Sequence, residues 1–282
     1  MASPFRTRFA PSPTGLLHLG HAFSALTAWD IAQQEGGEFL LRIEDLDGGR
    51  SRPAFEAAIL QDLAWLGLTW PEPVLRQSEH LPRYTAALDR LTALGVTYPC
   101  RCTRADIRAA LSAPQEGIEN ARVYPGTCRN RSMAERREGD AIRLNLARAL
   151  AQVGPLTFTE TGPLHAGTHR LDPEQMLSNQ GDVVLGRRDI GIAYHLAVVV
   201  DDAHQGVTHV VRGADLWDAT PLHRLLQALL NLPVPVWHHH RLIRDATGRR
   251  LAKRDNARAL ATLRAEGATP ADIRRLVGQS SR

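Results

Sequence analysis

The chain has 282 residues, 43% of them hydrophobic and 23% charged, with a formal net charge of +4, enough for one large domain or two small ones around a substantial core. Its apolar runs are broken by Arg, His or Asp before they could span a membrane, and no apolar signal segment opens it, so a soluble cytoplasmic protein with no membrane contact is expected. The mild positive charge permits a nucleic-acid partner without requiring one, and three cysteines, all between positions 100 and 128, argue against a disulfide framework and leave a metal site or nothing.

Residues 6–10 alternate as a short strand would, and Pro11, Pro13 and Gly15 end it. Over residues 20–34 the apolar positions Ala22, Phe23, Leu26, Trp29 and Ile31 recur at helical spacing, which puts His18 and His21 where the loop enters the helix. A helix N-terminus presents unpaired N–H groups and the positive end of its dipole, two imidazoles add donors, and Gly15 and Gly20 allow close approach, so a nucleotide phosphate fits there. Capping or packing is the alternative for such a His pair. Residues 36–37 read as a turn, 38–43 as a largely buried strand ending at Glu44, 53–66 as an amphipathic helix opened by proline, 70–73 as a turn, 74–78 as a third strand and 81–94 as a helix. Strand, helix, strand with a phosphate-type loop after the first strand is a Rossmann arrangement, with ligands expected at the carboxyl ends of parallel strands.

An insertion of different character follows. Cys100, Cys102 and Cys128 supply most of a tetrahedral zinc site, with Tyr124, Tyr98 or a water open as the fourth ligand, and residues 104–111 suit a helix. Residues 140–146 alternate as a half-exposed strand, and residues from 181 onward are expected to begin a second βαβ half. Residues 193–200 read as a continuously apolar strand ending at Asp201 and Asp202, residues 206–212 as another ending near Arg212, and 220–230 as a helix. Tyr194 and Arg212 could meet a substrate carboxylate, with a structural role the reading each residue invites when taken alone. His238, His239 and His240 are adjacent in an extended segment, so their side chains cannot all face one ion. Lys253 is the only lysine among 34 basic residues, the rest being arginine, and a lysine kept against that bias offers a compact, flexible ammonium.

The ordered string Pro-Ser-Pro-Thr-Gly-Leu-Leu-His-Leu-Gly-His over residues 11–21 closely resembles the HIGH signature of class I aminoacyl-tRNA synthetases, in the form used by their glutamyl branch. Residues 41–47, 194–202 and 207–216 are similar to further blocks of that branch, and residues 250–256 resemble its KMSKS loop, with Ala in place of Ser and Arg at the first Lys position. The resemblance implies an α/β fold: a class I Rossmann-type parallel sheet with an inserted zinc-bearing subdomain and, with 29 residues after Lys253, no anticodon-binding domain. The divisions expected are 1–95 and 171–240 for the Rossmann halves, 96–170 for the insertion and 241–282 for the KMSKS-type loop and a helical tail. By resemblance, Arg8, Ala10, Ser12, Glu44, Tyr194 and Arg212 would bind L-glutamate; His18, Gly20, His21 and Lys253 would bind ATP, used with Mg2+; and His18, His21 and Lys253 would be catalytic. Cys100, Cys102, Tyr124 and Cys128 match the structural zinc pattern, Cys-x-Cys followed by Tyr-x-x-x-Cys, of the truncated glutamyl-queuosine tRNA(Asp) branch of the family. That branch implies a monomer that transfers activated glutamate to queuosine in tRNA(Asp). The rival expectations are an adenylate-forming paralogue serving a small amine or thiol, and an idle tRNA-binding domain.

Overall fold

The computed structural model describes residues 4–103, 105–107, 123–188, 191–243 and 258–279. In chain order these form β1 (Arg6–Phe9), α1 (Leu19–Gln34), β2 (Glu38–Ile43), α2 (Pro53–Trp65), β3 (Leu75–Arg76), α3 (Leu81–Ala93), β4 (Thr97–Cys100), β5 (Ala141–Leu144), α4 (Leu146–Ala151), β6 (Thr157–Glu160) and β7 (Gly167–Arg170). There follow α5 (Pro173–Asn179), β8 (Val184–Gly186), α6 (Tyr194–His204), β9 (His209–Gly213), α7 (Thr220–Leu229), β10 (Val236–His240), α8 (Leu260–Ala265) and α9 (Pro270–Leu276).

Strands β1, β2 and β3 pair in parallel, as do β9, β10 and β6, with β7 antiparallel at that edge. The two sheets meet where β1 lies beside β9. There the Thr208 N–H donates to the Arg6 carbonyl at 3.1 Å, and the Arg6 N–H donates to Thr208 Oγ1 at 2.8 Å. The spatial order β3-β2-β1-β9-β10 reverses direction between β1 and β9, the switch point at which doubly wound sheets bind ligands. Helix α1 covers this junction with Ala22, Ala25, Ala28 and Ala32 beside Phe23 and Leu26. The small side chains let its backbone come close enough for the Thr7 hydroxyl to donate to the Ala28 carbonyl at 2.8 Å.

The helical reading of residues 193–200 overturns the expected strand. An uninterrupted apolar run is compatible with either a buried strand or a buried helix. Here Leu196 to Asp202 are buried all round the axis of α6, which packs against α3, α7 and β8, so no polar face marks its period. The expected second βαβ half also begins later than residue 181: β8 pairs antiparallel with β5, in a three-stranded sheet completed by β4, and the parallel unit is β9-α7-β10. The third strand is shorter than expected, because Gln77–His80 closes into a 3-10 turn.

After the parallel sheet the chain returns to α1. The Leu260 N–H donates to the Leu17 carbonyl at 2.8 Å, Ala259 bridges His18, and Arg274 in α9 holds both oxygens of Asp30 at 2.8 and 2.9 Å. The expected KMSKS-type loop with Lys253, and all of the expected 104–111 helix but residues 105–107, lie outside the described residues. Among the described residues, no helix is long and apolar enough to cross a membrane.

Candidate active site

Arg8, Ala10, Ser12, Glu44, Tyr194 and Arg212 line one cavity of about 400 Å3, completed by Phe9, Ser24, Val211, Gly213 and Leu216. Arg8 comes from β1, Ala10 and Ser12 from the loop after it, Glu44 from the end of β2, Tyr194 from the first turn of α6 and Arg212 from the end of β9. These are the carboxyl ends of the strands flanking the switch point. Ser24, which the sequence did not single out, lies one helical turn beyond His21 on α1, so the cavity adjoins the helix entrance.

At that entrance His18 is the N-cap, and its Nδ1 accepts the Gly20 N–H at 3.1 Å. His21 returns the bond: its Nδ1 accepts the His18 N–H at 3.2 Å. The capping alternative is therefore correct as geometry, and it has a chemical consequence. With both Nδ1 atoms serving as acceptors, the neutral rings carry their protons on Nε2. The rings lie 3.8 Å apart, centroid to centroid, at the positive end of a helix of 16 residues.

Charges around the cavity are arranged unequally. The Arg8 Nε donates to Asp202 at 3.0 Å, and its NH1 donates to the Val211 carbonyl at 3.0 Å. Arg42 is fully buried between Asp202 at 2.8 Å and Glu44 at 3.4 Å. Burial pushes the Glu44 carboxyl up from its ordinary range despite Arg42 and Arg8, so a ligand cation beside it would be welcome. Arg212 shows the complementary condition. Its guanidinium donates to His239, His223 and Thr220 at 3.0, 3.0 and 2.8 Å, none of them a carboxylate, and burial lowers its pKa.

Sequence reasoning missed the buried ionic layer of Arg42, Asp201 and Asp202. The available signal was an arginine inside the apolar run Leu-Leu-Arg-Ile, which requires buried acids opposite it. The three consecutive histidines do take separate partners: His238 faces Thr161, His239 faces Glu160, and His240 packs edge-on against Phe23.

A second cluster lies in the insertion. The Sγ atoms of Cys100, Cys102 and Cys128 all fall within 4.8 Å of one another, with Cys102 and Cys128 3.6 Å apart. The Tyr124 hydroxyl is 3.4 Å from Cys100 and 3.5 Å from Cys102. A tetrahedral ion with sulfur ligands at about 2.3 Å and an oxygen at about 2.0 Å has sulfur–sulfur edges near ~3.8 Å and sulfur–oxygen edges near ~3.5 Å. The Cys102–Cys128 edge and the edges from the Tyr124 hydroxyl to Cys100 and Cys102 match that figure. Tyr98 does not join them: its hydroxyl donates to Asp182 at 2.6 Å. Although burial opposes it, the Arg101 N–H and the Tyr124 hydroxyl bring the Cys128 thiol down to about 7, whereas burial pushes the Cys102 thiol and the Tyr124 phenol up, so a metal bound there would have to displace their protons.

A parallel sheet that reverses at β1 and β9, with the helix leaving the switch point capped by two histidines, defines the catalytic domain of a class I aminoacyl-tRNA synthetase. Residues 4–279 match the family model for tRNA synthetases class I (E and Q), catalytic domain. The chain belongs to that family of ligases and, within it, to the glutamyl-Q tRNA(Asp) synthetase group. It is similar to the glutamyl-Q tRNA(Asp) synthetase of Rhodobacter capsulatus, 58% identical over 96% of this chain and 99% of that protein. To the protein of that name from Symbiobacterium thermophilum it is 46% identical, over 94% of this chain and 83% of the relative. Among solved structures, a glutamate tRNA ligase from Elizabethkingia meningosepticum, in complex with its amino acid, superposes with a TM-score of 0.76 at 27% identity over 98% of this chain. The chain spans 60% of that ligase's length.

Proposed function

We propose that the chain activates L-glutamate with ATP, as used with Mg2+, and transfers it to the cyclopentene-diol of queuosine at the wobble position of tRNA(Asp). The observation that carries the first half is the cavity: a buried guanidinium with no carboxylate among its hydrogen-bond partners, and a carboxylate whose pKa burial raises, both line one cavity. An amino acid with a second carboxylate satisfies both. Glu44 takes the ammonium and Arg212 the side-chain carboxylate, because the α-carboxylate must remain available to react. Arg8, Ala10, Ser12 and Tyr194 complete the enclosure.

An oxygen of that α-carboxylate attacks the α-phosphorus of ATP, the bond to pyrophosphate breaks, and glutamyl-adenylate forms. No side chain need act as nucleophile. The Nε2–H groups of His18 and His21 and the N-terminus of α1, with the Gly20 N–H behind them, stabilise charge that grows on the phosphate oxygens. Lys253 holds the leaving pyrophosphate; Ala259, six positions further on, pairs with His18, which supports that assignment. A hydroxyl of the queuosine ring then attacks the adenylate carbonyl, AMP departs, and an ester results. The acceptor rests on the family group and on the near-complete coverage of the Rhodobacter relative.

Glutamate-dependent ATP–pyrophosphate exchange tests the activation step, and transfer of labelled glutamate to queuosine-containing but not queuosine-free tRNA(Asp) tests the acceptor. Lys253→Ala should abolish exchange. No exchange in the unmodified chain would refute the reading, while exchange with transfer only to a small amine or thiol would leave activation standing and remove the tRNA acceptor.

The same reading gives the insertion one zinc ion, held by Cys100, Cys102, Tyr124 and Cys128. Four protein ligands leave no position for substrate, so the ion crosslinks β4 to the segment around residue 128 and does no chemistry. One equivalent of zinc should accompany the purified protein, and a chelator should remove it with a fall in Tm. Tyr124→Phe should retain the fold but weaken zinc retention in a competition assay; wild-type retention in that variant would eliminate the phenolic oxygen as a ligand.

A further inference from the structure

Arg212 sits in a buried chain of side chains whose hydrogens can be placed by elimination. An arginine only donates, so the acceptors facing it, His239 Nε2 at 3.0 Å and His223 Nδ1 at 3.0 Å, carry no proton. Neutral His239 must then be protonated on Nδ1, which donates to Glu160 Oε2 at 2.6 Å. Neutral His223 must be protonated on Nε2, which donates to His195 Nδ1 at 3.0 Å. Burial lowers the pKa of both rings, in keeping with neutral imidazoles. Glu160 is itself anchored. Its Oε1 accepts the His239 N–H at 2.8 Å and the Gly162 N–H at 2.5 Å. A Cβ at Gly162 would collide with the His239 carbonyl, so only glycine lets the chain after β6 close this tightly on β10.

We propose that Glu160 and His239 are positioning residues for substrate recognition, holding the plane of the Arg212 guanidinium through a neutral imidazole spacer. The spacer keeps a counter-charge nearby while preventing the protein's own carboxylate from occupying the fork. Three of the five N–H groups of Arg212 are used by His239, His223 and Thr220, which fixes the guanidinium plane from three directions. A direct Arg–Glu pair would be stronger, and it would compete with the ligand. This inference rests on the glutamate reading of the cavity.

Glu160→Gln and His239→Gln are the test variants, measured by ATP–pyrophosphate exchange with glutamate and, separately, glutamine. Loss of a charge-assisted bond behind a charged group predicts about a tenfold rise in KM for glutamate. Preference for glutamate over glutamine should fall by a similar factor, with kcat and the KM for ATP nearly unchanged. Glu160→Asp should recover part of the loss. Independently, imidazole nitrogen NMR should find His239 protonated on Nδ1 and His223 on Nε2, with His239 changing tautomer in Glu160→Gln.

Unchanged glutamate KM and discrimination in folded variants would overturn the inference, as would equal loss for glutamate, glutamine and ATP, or a His239 protonated on Nε2 in the unmodified chain. An unmodified chain without glutamate-dependent exchange overturns the reading of the cavity and this role with it. Exchange in the unmodified chain with unaltered variants removes the positioning role alone.

Discussion

Arg212→Met is expected to raise the KM for glutamate by on the order of a hundred- to a thousand-fold, the scale of truncating one partner of a buried, hydrogen-bonded charge pair, with a much smaller effect on the KM for ATP. In the folded chain, Arg212 is a desolvated cation whose hydrogen-bond partners are two imidazoles and a hydroxyl. Removing it relieves a desolvation cost while orphaning three acceptors, so the two effects on stability oppose each other. The neighbours can also adapt, since a neutral imidazole can exchange tautomers and the Thr220 hydroxyl, 3.4 Å from His239 Nε2, can turn to donate to it. Tm should therefore move by only a few degrees while substrate binding collapses. Arg212→Lys separates charge from shape: it keeps a cation but loses the planar fork, and should recover only part of the affinity. Exchange kinetics against glutamate concentration, with thermal melting of the same samples, checks both variants. A Met variant with near-normal KM would mean that the substrate carboxylate binds elsewhere.

Local signals made parts of this site readable from the chain alone. The break at Pro11 and Pro13, the helical spacing from Ala22 and the paired histidines placed the entrance to α1, and the family resemblance selected six residues that share one cavity although they come from four separate stretches of chain. The cysteine spacing grouped three thiols that do lie together. Two features escaped for physical reasons. Helix α6 is covered on every side, which erases the polar stripe that distinguishes helix from strand. The ion pairs joining Arg8 and Arg42 to Asp202 span 194 and 160 residues, and nothing local marks a long-range pair beyond the improbability of an unpaired arginine in a buried strand. The same holds for Glu160 and His239, where the spacing hides a contact that only the β6–β10 pairing creates.

Asp202→Asn should be among the more damaging single substitutions for stability. One oxygen of Asp202 accepts from Arg8 at 3.0 Å and from Arg42 at 2.8 Å, and Arg8, Arg42 and Asp202 are 4%, 0% and 6% exposed. Asp201 cannot substitute: it is committed to Tyr84 at 2.9 Å and Gln77 at 2.8 Å, and its approach to Arg42 is 3.8 Å. Removing one charge thus leaves buried guanidiniums undercompensated, at a cost of about 3–5 kcal/mol and a Tm loss of about 10 °C. The effect should also depend on pH. Burial raises the Asp202 pKa, but Arg8 and Arg42 outweigh it and hold the carboxyl below its ordinary value. A carboxylate depressed in the folded state contributes stability above the unfolded pKa of about 4, and that contribution is lost as pH falls through the folded value. The gap between the denaturant midpoints of the unmodified chain and the Asp202→Asn variant reads this contribution directly. It should be full above the unfolded reference of about 4, and should narrow as the pH drops below it. A gap that stays constant as the carboxyl protonates would assign the loss to packing and not to charge.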